Sequence, residues 1–244
     1  CKLSIIYGLA NRTDEALLAS EKALLCDPKS VLAHEAHGLA SLGLGRINES
    51  IKSFKRAIEF DDSYANAYVN LGMAYRAKGE IKKSIYQFNK AITLDENDMQ
   101  AHNNLGVSFL DLNQLEKAEG ALNNALVIDQ DFAEAHFNLS RVMLMAENFK
   151  LGWEHNDWRW RCPEFPSTRR EFSQALWQGE DLRNKKILVW SEQGIGDEIM
   201  FANTLQELSK NSAGVVIECN DRLVPIFSRS FKGVHVVSRQ DPPN

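Results

Sequence analysis

The residues best placed for chemistry lie in the stretch 186–201, KILVWSEQGIGDEIMF, where Gln193, Gly194 and Gly196 lead into the acid Asp197. A short apolar run ending in a Gly-flanked turn reads as a strand that delivers its carboxyl end into a loop, where open α/β sheets bind ligands. A carboxylate at that point suits the removal of a proton from a substrate hydroxyl. Its plainer role is to cap the first amides of the following helix for about 1 kcal/mol. A second set is a column of carboxamides, Asn70, Asn104 and Asn138, spaced 34 residues apart. Such a row can both donate to and accept from the backbone of an extended peptide. For any one of these Asn residues, a solvated helix position is the simpler explanation.

The Gly194-Ile195-Gly196 turn invites comparison with the dinucleotide fingerprint, with Glu218 as the ribose-binding acid. Ile199 occupies the third glycine position, which removes close helix-to-strand packing of that type. Asp197 also stands where a pyrophosphate would sit and would repel it. A nucleotide-binding oxidoreductase is therefore a minor reading.

The elements that must position these residues announce themselves by self-similarity. Gly38, Gly72 and Gly106 fall in one register; Ala23, Ala57, Ala91 and Ala125 form a second column; Ala16, Ser50, Ser84 and Ala118 form a third. The apolar pattern inside each unit is helical twice, with the intervening turn at Gly45, Gly79 and Asn113, so each unit is a helix hairpin. Small columns let helices cross closely, and Leu71, Tyr75, Phe88 and Leu94 are expected to fill the space around them. Stacked hairpins place their first helices on the concave side, which puts the Asn column on that face. His34 and His37 lie three apart, but repeat positions explain them, and His102 and His136 continue the column of His34.

From Gly152 the columns break, since Gly152 and Arg159 stand where two small residues belong. Trp153, Trp158 and Trp160 arrive together, as expected of a capping repeat that buries its end. The segment CPEFPSTRREFSQ reads as a loop, with Trp177 anchoring it. Arg159, Arg161, Arg169, Arg170, Arg183, Lys185 and Lys186 are read as a surface that balances nearby acids. Beyond the loop, ILVW, GVVIEC and VHVV alternate with helical patterns over 197–210 and 221–231, a βαβαβ order.

Composition narrows the function classes. The chain has 244 residues, a formal charge of -5, 44% hydrophobic and 25% charged residues, so no basic field argues for nucleic acid. No apolar run approaches the roughly 20 residues of a membrane span. Cys1, Cys26, Cys162 and Cys219 have no CxxC spacing, which favours reduced thiols and a cytoplasmic location, with no metal site. The first residue falls inside a helix of the repeat and is not Met, so a piece of a longer protein is expected.

The small-residue columns, Phe54 and Phe88 in the second helices, and Asp27-Pro28 closing a unit resemble the tetratricopeptide repeat over about residues 1–160. The Asn column is similar to the ladder in the repeats of O-GlcNAc transferase, which implies a protein or peptide partner on the concave face. The segment VWSEQGIGDEIMFANTLQEL, with WQGEDLRNKK before it and VVIECNDRLVPIF after it, resembles the start of a bacterial glycosyltransferase domain found behind such repeats. That domain is similar to the heptosyltransferases of glycosyltransferase family 9, with a two-Rossmann fold. Gly196 and Asp197 carry the likeness. It implies Asp197 as the general base, an acceptor loop at Gln193, Gly194 and Gly196, and a nucleotide-sugar donor held by a second Rossmann domain absent from this chain. It implies no cofactor in the present residues.

The expected organisation is thus a tetratricopeptide-repeat solenoid at 1–160, comprising a partial repeat, three full repeats and a degenerate capping repeat. A Trp- and Pro-containing junction follows at 161–184, then an incomplete α/β, Rossmann-like unit at 185–244. The expected function is part of a repeat-containing glycosyltransferase. The alternative is a non-catalytic scaffold for protein–protein interaction.

Overall fold

The computed structural model describes residues 12–163, 165–167, 169–170, 172–192 and 194–239. It divides into two compact units, Cys1–Pro163 and Glu164–Asn244. Expectations for Cys1 and Gln193 fall outside the described residues.

The first unit is a helical solenoid. Its elements are α1 (Thr13–Cys26), α2 (Val31–Gly43), α3 (Ile47–Phe60), α4 (Ala65–Ala77), α5 (Ile81–Leu94), α6 (Met99–Asp111), α7 (Leu115–Ile128), α8 (Ala133–Met145) and α9 (Phe149–Asn156), followed by a 3-10 turn at Asp157–Arg161. Pairs α2–α3, α4–α5, α6–α7 and α8–α9 are the hairpins, and the first helices α2, α4, α6 and α8 pack on one another in sequence. Each hairpin turns through a left-handed residue: Gly45 at φ 73°, Gly79 at 80° and Asn113 at 56°. The fourth hairpin uses Glu147 at φ 60°, which carries the cost of a side chain in a conformation suited to Gly or Asn.

The glycine column is explained by what lies across from it. A Cβ on Gly72 would stand 2.6 Å from Cε1 of Phe88, and one on Gly106 would stand 2.6 Å from Cγ of Leu122. Phe54, Phe88 and Leu122 are wholly buried at one register position, so each second helix drives a large side chain against the bare backbone of the first. Ala57, Ala91, Ala125, Ser50, Ser84 and Ala118 are buried completely as well, as close crossing requires. Leu71 and Tyr75 join this core, whereas Leu94, at the last turn of α5, is exposed and fills no space.

Two further columns close the junctions between hairpins. Asp27, Asp61, Asp95 and Asp129 each accept the amide of the residue two positions on, at 2.9–3.1 Å, forming the turn that ends the second helix. Early in each first helix, His34, Tyr68, His102 and His136 reach the carbonyl six residues back, on Pro28, Asp62, Glu96 and Gln130, at 2.9–3.1 Å. Three imidazoles and one phenol thus do one job.

Gly152 departs from its expected reading. It is buried, and a Cβ there would meet Cδ2 of Leu144 at 2.6 Å, so it continues the small column in tighter form. Arg159 does break its column, and α9 gives way to the 3-10 turn. Of the tryptophans nearby, Trp158 stacks on His136 in the first turn of α8, while Trp153 is exposed.

The second unit holds a parallel three-stranded sheet, β1 (Lys186–Trp190), β2 (Gly214–Cys219) and β3 (Val234–Ser238), in the order β1-β2-β3. Val189 pairs with Ile217 and Ile217 with Val236. Between β1 and β2 run α10 (Ile195–Phe201) and α11 (Asn203–Lys210), two short helices in place of one, and α12 (Val224–Ser230) precedes β3. Val215, Ile217 and Cys219 of the central strand, with Ala202, Leu205, Leu223 and Phe227, form its core. Cys26, Cys162 and Cys219 are free thiols.

Candidate functional site

On the solenoid, the Asn column sits on the first helices as expected, but neighbouring repeats use part of it. Asn70 donates to Glu35 at 2.9 Å, and Asn138 donates to Asn103 at 3.0 Å, in each case to the residue 35 positions back. Glu35 is held at its other oxygen by the Tyr64 hydroxyl at 2.7 Å. Burial, with the Glu35 carboxylate as acceptor, pushes the Tyr64 pKa up to about 12. For Asn104 the equivalent residue is Val69, whose side chain offers no acceptor, and its carboxamide has no hydrogen-bond partner among the described residues. The row is therefore two oriented amides flanking one open amide. Arg141 donates weakly to Asn138 at 3.4 Å, and Arg76 pairs with Asp111 at 2.7 Å across adjacent first helices. Sequence spacing finds the Asn residues; it misses Glu35 and Asn103, whose role depends on the 35-residue offset between stacked helices.

In the α/β unit, Gly194 precedes α10, and Asp197 lies on its first turn at the carboxyl end of β1. Asp197 does not cap: no side chain accepts from the first amides of this helix. Its carboxylate is half-buried and bonds to no other described residue. Glu198 also does something other than cap, accepting the Asn220 amide at 2.9 Å and so tying α10 to the loop after β2. Glu218, the acid that a dinucleotide site would need, is buried and engaged by both terminal nitrogens of Arg170. That guanidinium lies 5.2 Å from the Phe172 ring and 5.5 Å from the Trp190 ring. Of the other basic residues, Arg183 pairs with Asp181, Arg161 with Asp131 and Arg159 with Asp157, whereas Arg170 is buried and does not belong to the surface expected of the set. Trp177 donates to the Glu180 carbonyl at 2.8 Å and fastens its own turn.

No group of three or more metal-ligating side chains exists among the described residues. Among them, too, no helix is long and apolar enough to cross a membrane.

The TPR repeat family matches residues 38–75 and 72–112. Protein FlbA of Caulobacter vibrioides is 30% identical over 104 residues, which are 41% of this chain and 17% of that protein. The present chain thus spans under a fifth of the length of that relative. Among solved structures, PilW, described as a type IV pilus biogenesis factor, is similar with a TM-score of 0.60 and 22% identity, covering 64% of this chain and 74% of its own. YrrB, a TPR protein with an unusual peptide-binding site, is similar with a TM-score of 0.50 and 21% identity, covering 64% and 80%. At such identities the likeness concerns the fold. With the Gly–Phe register, the helical unit has the fold of a tetratricopeptide-repeat solenoid, and the repeat itself is matched over 38–112.

Proposed function

We propose that the chain is a protein-interaction module whose solenoid holds an extended polypeptide along the first helices. The observation that supports this reading is the carboxamide row, with Asn70 and Asn138 oriented by Glu35 and Asn103, and Asn104 open between them. An extended backbone offers alternating carbonyls and amides, and a carboxamide answers both. The peptide-binding site of YrrB, a protein of the same fold, agrees with such a use. The test is a random-peptide array probed with the 244-residue chain and with Asn104→Leu. Peptides captured by the parent and lost by the variant are expected; capture that Asn104→Leu leaves unchanged removes the row from this role.

A second reading rests on Asp197, whose half-buried carboxylate has no bond to spend while its neighbour Glu198 is occupied. In it, the α/β unit is the acceptor side of a glycosyltransferase of the two-Rossmann type. Asp197 takes the proton of the acceptor hydroxyl as its oxygen attacks the anomeric carbon with inversion, and the nucleoside diphosphate leaves toward a donor-binding domain. In a longer protein carrying that domain, Asp197→Asn should abolish sugar transfer while donor binding survives. Unchanged transfer refutes the assignment.

A further inference from the structure

The histidine column ends in a pair that no other repeat has among the described residues. His136 on α8 bonds the Gln130 carbonyl at 2.9 Å through Nε2, which must therefore carry the proton. Its Nδ1 faces Nδ1 of His155, near the end of α9, at 2.8 Å. With both rings neutral, this contact requires His155 to donate from Nδ1 into the lone pair of His136. One added proton still leaves a single N–H between the two nitrogens. A second sets N–H against N–H at a distance that no hydrogen bond permits.

We propose that this pair is a proton-operated latch between α8 and α9, closed while the neutral pair has gained at most one proton and opened by the second. The two ring centroids lie 4.9 Å apart, and the Trp158 ring stacks on His136 at 3.9 Å, so α9 and the 3-10 turn both meet α8 at this imidazole. The charged groups nearby set the balance. From α8 and the turn before it come Glu134 and Asp131; from α9 comes Glu154; from the 3-10 turn come Asp157, Arg159 and Arg161. Arg161 is paired with Asp131 and lies 4.3 Å over the Trp158 ring, and Arg159 is paired with Asp157. Burial, and then the neighbouring His136, lower the His155 pKa against the opposing pull of Glu154. A His with a lowered folded pKa contributes stability above its unfolded value of about 6.5, and that stability is lost as pH falls from there toward the folded value.

The test is hydrogen exchange of the full chain at about pH 7.5 and about pH 5.0, corrected for intrinsic rate. Exchange in 149–158 is expected to quicken by about tenfold per unit of pKa difference while α4–α7 is unchanged. The informative variant is His136→Tyr, because Tyr68 already makes the same turn bond from the same repeat position. It should keep the helical content and abolish the pH response. Nitrogen-15 spectra of labelled histidines should show His136 protonated at Nε2 and His155 at Nδ1 at the higher pH. The proposal fails if 149–158 exchanges equally at both pH values, if His136→Tyr leaves the response intact, or if His155 is the Nε2 tautomer.

Discussion

Adding a single methyl group at Gly72 and at Gly120 should move stability in opposite directions. Both glycines lie inside helices, α4 and α7, so Ala removes the same backbone penalty of about 1 kcal/mol at each. At Gly120 a Cβ meets nothing within 4 Å, and the gain is realised in full. At Gly72 the Cβ arrives 2.6 Å from Cε1 and 2.8 Å from Cδ1 and Cζ of Phe88. Carbon atoms rest at about 3.5–4.0 Å, so the ring must retreat by about 1 Å. Phe88 is wholly buried and has no solvent side to retreat into. Overpacking of this kind costs about 1–3 kcal/mol, and three ring atoms in collision place it at the upper end. Gly72→Ala should therefore lose about 1–2 kcal/mol net while Gly120→Ala gains about 0.5–1 kcal/mol. Urea unfolding followed by far-ultraviolet dichroism reads the difference as a shift of the helical midpoint. Phe88→Val combined with Gly72→Ala should cost less than the sum of the two, since the smaller side chain vacates the contested space. Equal gains at both glycines, or strict additivity in the double variant, would refute the reasoning.

Glu147→Gly should raise stability by about 1 kcal/mol, because a left-handed residue sheds its Cβ conflict there; a thermal midpoint below that of the parent contradicts it. In the α/β unit, Arg170→Met or Glu218→Gln should each cost about 3–5 kcal/mol by stranding a buried charge or its partner, with the double apolar replacement recovering much of the loss in the same urea assay. Alkaline titration followed by tyrosinate absorbance should find one tyrosine ionising near pH 12, and Tyr64→Phe should remove it. Because the folded pKa of that phenol is raised, its contribution is present below about pH 10 and vanishes as pH climbs through the folded value.

The solenoid is legible because one unit is written several times over. Gly38, Gly72 and Gly106 set the register, and Gly45, Gly79 and Asn113 mark the turns, each for a backbone reason visible in the residue type itself. Glu147 escapes because its type argues against the conformation that its place in the repeat enforces. Gly152 misleads for a related reason: a glycine in a helix reads as a break, and only the position of Leu144 shows it to be a fit. The strands fall close to where their apolar runs put them, but the kink at Ala202 that divides α10 from α11 carries no proline or glycine to mark it. At the candidate sites, spacing locates Asn70, Asn104, Asn138 and Asp197. It is blind to the pairing of Arg170 with Glu218, 48 residues apart, which is decided by the fold of a loop onto the sheet. The His136–His155 contact is equally hidden, since the two belong to different periodic positions.

The turn bonds from His34, Tyr68, His102 and His136 bear on how such an array can change length. Each bond begins and ends within seven consecutive residues that straddle one junction, so none refers to a second hairpin further along. Excising residues 65–98 as a block would join Tyr64 to Met99 and leave every remaining bond of this kind closed. It would also bring Asn104 to the place of Asn70 beside Glu35, while the Arg76–Asp111 pair would be lost with Arg76. A chain whose junctions are fastened one at a time can gain or shed whole units and refold around the splice, with the count of hairpins open to change while the geometry of each stays fixed.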